Sequence, residues 1–83
     1  MRGEMRPEEI RELLRRQPFV PIRIHITGGK TYDISHPENI IIGRSRVDIG
    51  VGGDAEAGVV DHVDSVSLLH IVRIEDLAPA RRA

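Results

Sequence analysis

The chain has 83 residues, 12 Lys and Arg against 13 Asp and Glu, a formal charge of −1 and no cysteine. That length predicts one domain, 1–83, with a small core, and the even charge excludes a general attraction to nucleic acid or to an anionic membrane. The missing thiols exclude disulfides and thiolate metal sites, and "MRGEMRPEEIRELLRR" is too charged for a signal-peptide core while no apolar run approaches the ~18 residues of a membrane span, so a cytoplasmic protein is expected.

The first expected element is a helix over 7–16. Pro7 suits a first helical position, Glu8 and Glu9 fall in the first turn, and Arg15 and Arg16 close the last. Ile10, Leu13 and Leu14 share one face at spacings of three and four, which predicts a stripe packed on the rest of the fold. Gln17-Pro18 ends the helix, since a residue before proline avoids helical angles.

From Phe19 the period changes to two. Val20, Ile22, Ile24 and Ile26 alternate with Pro21, Arg23, His25 and Thr27, as in a strand with one buried and one wet face. Pro21 suggests that this strand begins at a sheet edge. Gly28-Gly29 predicts a two-residue hairpin, returning through Lys30 to Ile34 with Tyr32 and Ile34 on one face.

"SHPEN" then reads as a turn, and Ile40 to Ile42 as a strand that is apolar on both faces. Gly43-Arg44-Ser45-Arg46 is a further reversal, Val47, Ile49 and Val51 a fourth segment, and "GVGGDAEAG", residues 50–58, a mobile hairpin loop. Residues 59–69 should be extended, with "DHVD" at 61–64 as a candidate interruption, before a second apolar run, "LLHIVRIEDL", and a frayed tail over 78–83. The expected fold is mainly β with one N-terminal helix: a small bent antiparallel sheet or barrel of about five strands over 19–77, Sm-like or SH3-like.

"QPFVPIRIHITGGKTYDISHPENIIIG" with "VSLLHIVRIEDL" resembles a family of small bacterial proteins that share a Pro-Phe-x-Pro opening, a Gly-centred hairpin and a His-Pro-Glu turn. The resemblance implies membership and no activity. Ile22 stands where that outline has a second phenylalanine, and Gly28 where aspartate is more usual. A second resemblance, architectural only, is to Sm-like RNA chaperones; it implies a sharp corner at Leu69-His70-Ile71, followed by Arg73. RNA binding does not follow from architecture.

Several polar groups invite functional readings. His36 could be a proton shuttle with Glu38 or a metal ligand, with turn chemistry at Pro37 the simpler account; Asp61, His62 and Asp64, with His25 or His36 nearby, could hold a divalent ion, with solvated loop residues the simpler account. Residues 50–58 lack the lysine and hydroxyl of a phosphate loop. Ser35, Ser45, Ser65 and Ser67 have no nucleophile motif, so no catalytic residue and no cofactor are expected. A nucleic-acid patch could gather Arg23, His25, Lys30, Arg44, Arg46 and His70, although Phe19 and Tyr32 are the only aromatic residues available for stacking.

The isoleucine run carries the most information. Ile40 and Ile42 can point into a core, but Ile41 must point away, and Leu68 to Ile74 repeats the difficulty. Each such side chain left in water forgoes about 1.5–3 kcal/mol. A homo-oligomer is therefore expected, its interface formed by Ile41, Leu69, Ile71 and Ile74. The functional expectation is a non-enzymatic, self-associating interaction module, with an RNA-binding ring and a metal-dependent site at the His-Pro-Glu turn as alternatives.

Overall fold

Alternation at Ile22, Ile24 and Ile26 forms the first strand, β1 (Ile22–Ile26), and Gly28 and Gly29 turn it back into β2 (Thr31–Ile34). Both glycines have positive φ, 96° and 98°, a pair of angles that side chains resist. The computed structural model describes residues 5–54 and 58–77. The frayed tail expected at 78–83 and the tip of the expected loop, 55–57, lie outside the described residues.

Four more strands follow: β3 (Ile40–Ile42), β4 (Arg46–Val51), β5 (His62–Ser67) and β6 (Ile71–Asp76). They assemble as two antiparallel three-stranded sheets, in the orders β2-β1-β6 and β3-β4-β5. The fold is mainly β with one helix, as expected, but the barrel is corrected: the described strands do not close into one. The chain passes between the sheets through short 3-10 turns at Pro37–Asn39 and Leu68–His70. Pro37 has no N–H to continue a ladder. In the second turn the Ser67 hydroxyl accepts the Leu69 N–H at 3.2 Å, so the stretch expected to stay extended over 59–69 ends at Ser67. That break makes six strands instead of five, and it falls at the corner expected near His70. The stretch expected to be extended from residue 59 is broken at Val60 and Asp61, so β5 begins only at His62, the second residue of "DHVD", and from there its pairing with β4 runs without a bulge.

Pro21 also needs correction. β1 is the central strand of its sheet, and Pro21 precedes it by one residue, where a missing N–H costs no ladder bond. Its carbonyl still accepts from Leu77 N at 2.8 Å.

The helix, α1, is Pro7–Leu14, two residues shorter than expected. Glu9 reaches back to accept the Arg6 N–H at 2.9 Å, an N-terminal cap. Arg15 N closes the last turn on the Arg11 and Glu12 carbonyls. Arg16, freed from the helix, forks onto Asp76 at 2.9 and 3.1 Å, tying the helix exit to the end of β6.

One core joins these parts. The first sheet contributes Ile22, Ile24, Ile34 and Ile71, the second Ile40, Val47, Ile49 and Val66, the corner Leu68 and the helix Ile10. No polar side chain is buried among the described residues. Because Ile10 and Ile24 are wholly enclosed, Ile10→Ala and Ile24→Ala should each lower the unfolding free energy by about 2–5 kcal/mol in urea titrations, and Leu13→Ala, half exposed, by clearly less.

Candidate functional site

The outer face of the first sheet is a ladder of paired charges. Asp33, Arg23 and Glu75 lie side by side across β2, β1 and β6, with Thr31, His25 and Arg73 in the next row. The Arg23 guanidinium forks onto Asp33 at 2.7 and 3.0 Å and holds its carboxyl below the usual range. His25 Nε2 lies 2.9 Å from Glu75 Oε1, and that hydrogen bond is the main reason the Glu75 carboxyl is also depressed. Of the basic patch expected from sequence, Arg23 and His25 are thus countered by acids on their own face.

The third member, Lys30, belongs to a second cluster. The Tyr32 hydroxyl donates to Asp64 Oδ2 at 2.6 Å, joining β2 of one sheet to β5 of the other. Lys30 Nζ lies 3.6 Å from the same oxygen and 5.0 Å from the centre of the Tyr32 ring, while His62 Nε2 lies 3.4 Å from Asp64 Oδ1. Tyr32, by its hydrogen bond, depresses the Asp64 carboxyl, and Asp64 in turn raises the Tyr32 phenol. Asp64 stands opposite buried Ile49 and so marks the rim of the inner face.

The outer face of the second sheet is different in kind. Ile41, Asp48 and Ser65 form one row and Gly50 and Val63 the next. Ile41 is 69% exposed and Val63 59%. With Glu38, Asn39 and Val60 they line an open groove of about 160 Å³. Its floor depends on Gly50, where a Cβ would come within 2.8 Å of Val60 Cγ1. The Asp48 carboxylate accepts from the Ser65 hydroxyl and lies 3.9 Å from Arg46.

A separate groove of about 290 Å³ runs between the start of α1, the β3–β4 turn and the second corner, lined by Met5, Arg6, Pro7, Arg44, Ser45, Leu68 and Leu69. Pro7 and Arg44 also line the adjoining hollow with Glu8, Arg11, Ile42 and Gly43. Leu69 projects from this region at 67% exposure.

The interface set expected from sequence is therefore divided. Ile41 and Leu69 are exposed but line different grooves. Ile71 is corrected to a core residue, because it pairs with Ile26 at the bulge of β6 and turns inward. Ile74 is half-buried against the core beside Ile24. Val72 is the extra residue of that bulge, pushed outward and 63% exposed. Sequence reasoning missed Val63, yet the signal was present: Val63 and Val66 are three apart, and a strand cannot turn both inward. It also missed Arg6 and Arg11, whose neighbourhood with Arg44 depends on how α1 docks.

His36 precedes the first corner, where its carbonyl accepts the Asn39 N–H at 3.0 Å. Glu38 lines the Ile41 groove, and His62 and Asp64 belong to the Tyr32 cluster. Among the described residues no three His, Asp or Glu side chains gather as a metal would require. Arg46 is exposed beside Asp48, and the His70 ring is exposed, its carbonyl accepting Thr27 N at 2.8 Å. No helix among the described residues is long and apolar enough to cross a membrane.

No family model, curated protein or solved structure matches this chain.

The Tyr32 and Asp64 pair makes a pH prediction. A carboxyl depressed in the folded state stabilises the fold above its ordinary value, about 3.9, and that contribution is lost as pH falls through the folded value. Tyr32→Phe should lower the urea midpoint near neutral pH. It should also shallow the decline between about pH 5 and pH 2, because Asp64 then titrates closer to its unfolded value.

Proposed function

We propose that the protein is a non-enzymatic interaction module that associates with copies of itself. One observation carries this reading: Ile41 and Leu69 remain 69% and 67% exposed although the helix has already spent its stripe on the core through Ile10. Val63 and Val72 add to the uncovered surface. Covering such side chains is worth about 1.5–3 kcal/mol each when complete, a large part of what a domain this small can hold. A net charge of −1 leaves little repulsion between copies. Several titratable groups, His25 with Glu75 and Tyr32 with Asp64 among them, hold strands together.

An RNA-binding ring has less behind it. Arg23, His25 and Lys30 face carboxylates, and the groove that holds Arg44 has no aromatic residue on which a base could stack.

Light scattering on the purified protein tests the reading. The expected mass is a multiple of the 9.3 kDa chain. Ile41→Asp should reduce it while leaving the chain's own stability within about 0.5 kcal/mol, since the position is exposed in the single chain. A wild-type mass of one chain at high concentration would reject the proposal.

A further inference from the structure

Resting on self-association, we infer that the contact runs head to tail, the Ile41 groove of one chain receiving the arginine-rimmed groove around Leu69 of the next. The argument is charge complementarity between two apolar hollows on the same molecule. The Ile41 groove carries Glu38 and Asp48. Asp48 is already held by Ser65 and Arg46, so Glu38 is the acid that faces a partner. Among the described residues, the Leu69 groove and its adjoining hollow carry Arg6, Arg11 and Arg44 against a single acid, Glu8. None of these three guanidinium groups has an ion pair or side-chain hydrogen bond among the described residues, in contrast to Arg16 and Arg23.

Each groove also supplies what the other lacks. Leu69 projects from an arginine rim, and the Ile41 groove offers an apolar wall with a small-residue floor at Gly50. A two-fold contact of either groove with itself would gather like charges, which penalises association. The grooves lie at opposite ends of the β3–β4 hairpin, Arg44 in its turn and Glu38 just before β3. One chain can therefore use both at once, and the contact repeats into a ring if the rotation closes and a filament if it does not.

Two double variants test this by light scattering, with circular dichroism confirming the fold. R11E/R44E spoils the basic groove and keeps the acidic one; E38R/I41D does the reverse. Each alone should fall to the mass of one chain, and an equimolar mixture should recover the mass of two and no more. Within one chain, the exchange E38R/R44E should restore more association than either single reversal, and this variant keeps every apolar residue in place. Wild-type assembly should weaken as salt is raised. If wild type associates but R11E/R44E does so equally, or the mixture stays at one chain, head-to-tail contact is wrong while self-association stands. A one-chain mass for wild type removes both. If R11E/R44E keeps its mass and instead loses salt-dependent binding of a mixed oligonucleotide, the arginine groove serves nucleic acid and the inference fails.

Discussion

Neither sheet of this protein can stand without the other. A three-stranded sheet of three- to six-residue strands has too little apolar surface on one face to offset the entropy of ordering it. Here each sheet supplies four of the buried side chains, and the helix and the second corner add Ile10 and Leu68 between them. The rest of the molecule follows from keeping those two faces together. The turns at Pro37–Asn39 and Leu68–His70 carry the chain across, and both are short because the sheets must stay in contact.

Side-chain bonds perform the closure that a barrel would achieve with backbone. Tyr32 bridges to Asp64 across the sheets, and Arg16 clasps the end of β6 to the helix exit. Arg23 with Asp33 and His25 with Glu75 reinforce the ladder of the first sheet from outside. Much of the basic surface suggested by composition is thereby neutralised at short range. Among the described residues, Arg6, Arg11 and Arg44 stay unpaired and line the hollows beside α1, a place defined only by how that helix docks.

The two outer faces consequently have different characters. One is a mosaic of matched charges that water solvates well, with the outward Val72 as its apolar exception. The other presents Ile41 and Val63 around a glycine and a serine, with one unpaired acid among the described residues, Glu38, at its margin. A surface of that second kind is costly in an isolated chain and useful in an assembled one. The functional proposal rests on that asymmetry and on no catalytic geometry.

Much of the fold was legible in order along the chain. Period-two alternation located β1, Gly28-Gly29 fixed the first hairpin, and the spacing of Ile10, Leu13 and Leu14 located the helix, because each depends on residues within a few positions of one another. The same local rule required Ile41 to point away from Ile40 and Ile42, and it does. What sequence could not decide was anything set by partners distant along the chain. Ile71 turns inward and Val72 outward because a bulge against β1 shifts the register there. Pro21 precedes a central strand because β6 returns to pair beside β1. Arg23 and Arg44 look alike in sequence, yet one meets an aspartate across a strand and the other does not. Local pattern determined which segments are helix or strand and which side chains must oppose each other. Tertiary pairing alone decided which faces were covered and which charges were cancelled, since both depend on contacts that exist only after the two sheets have met.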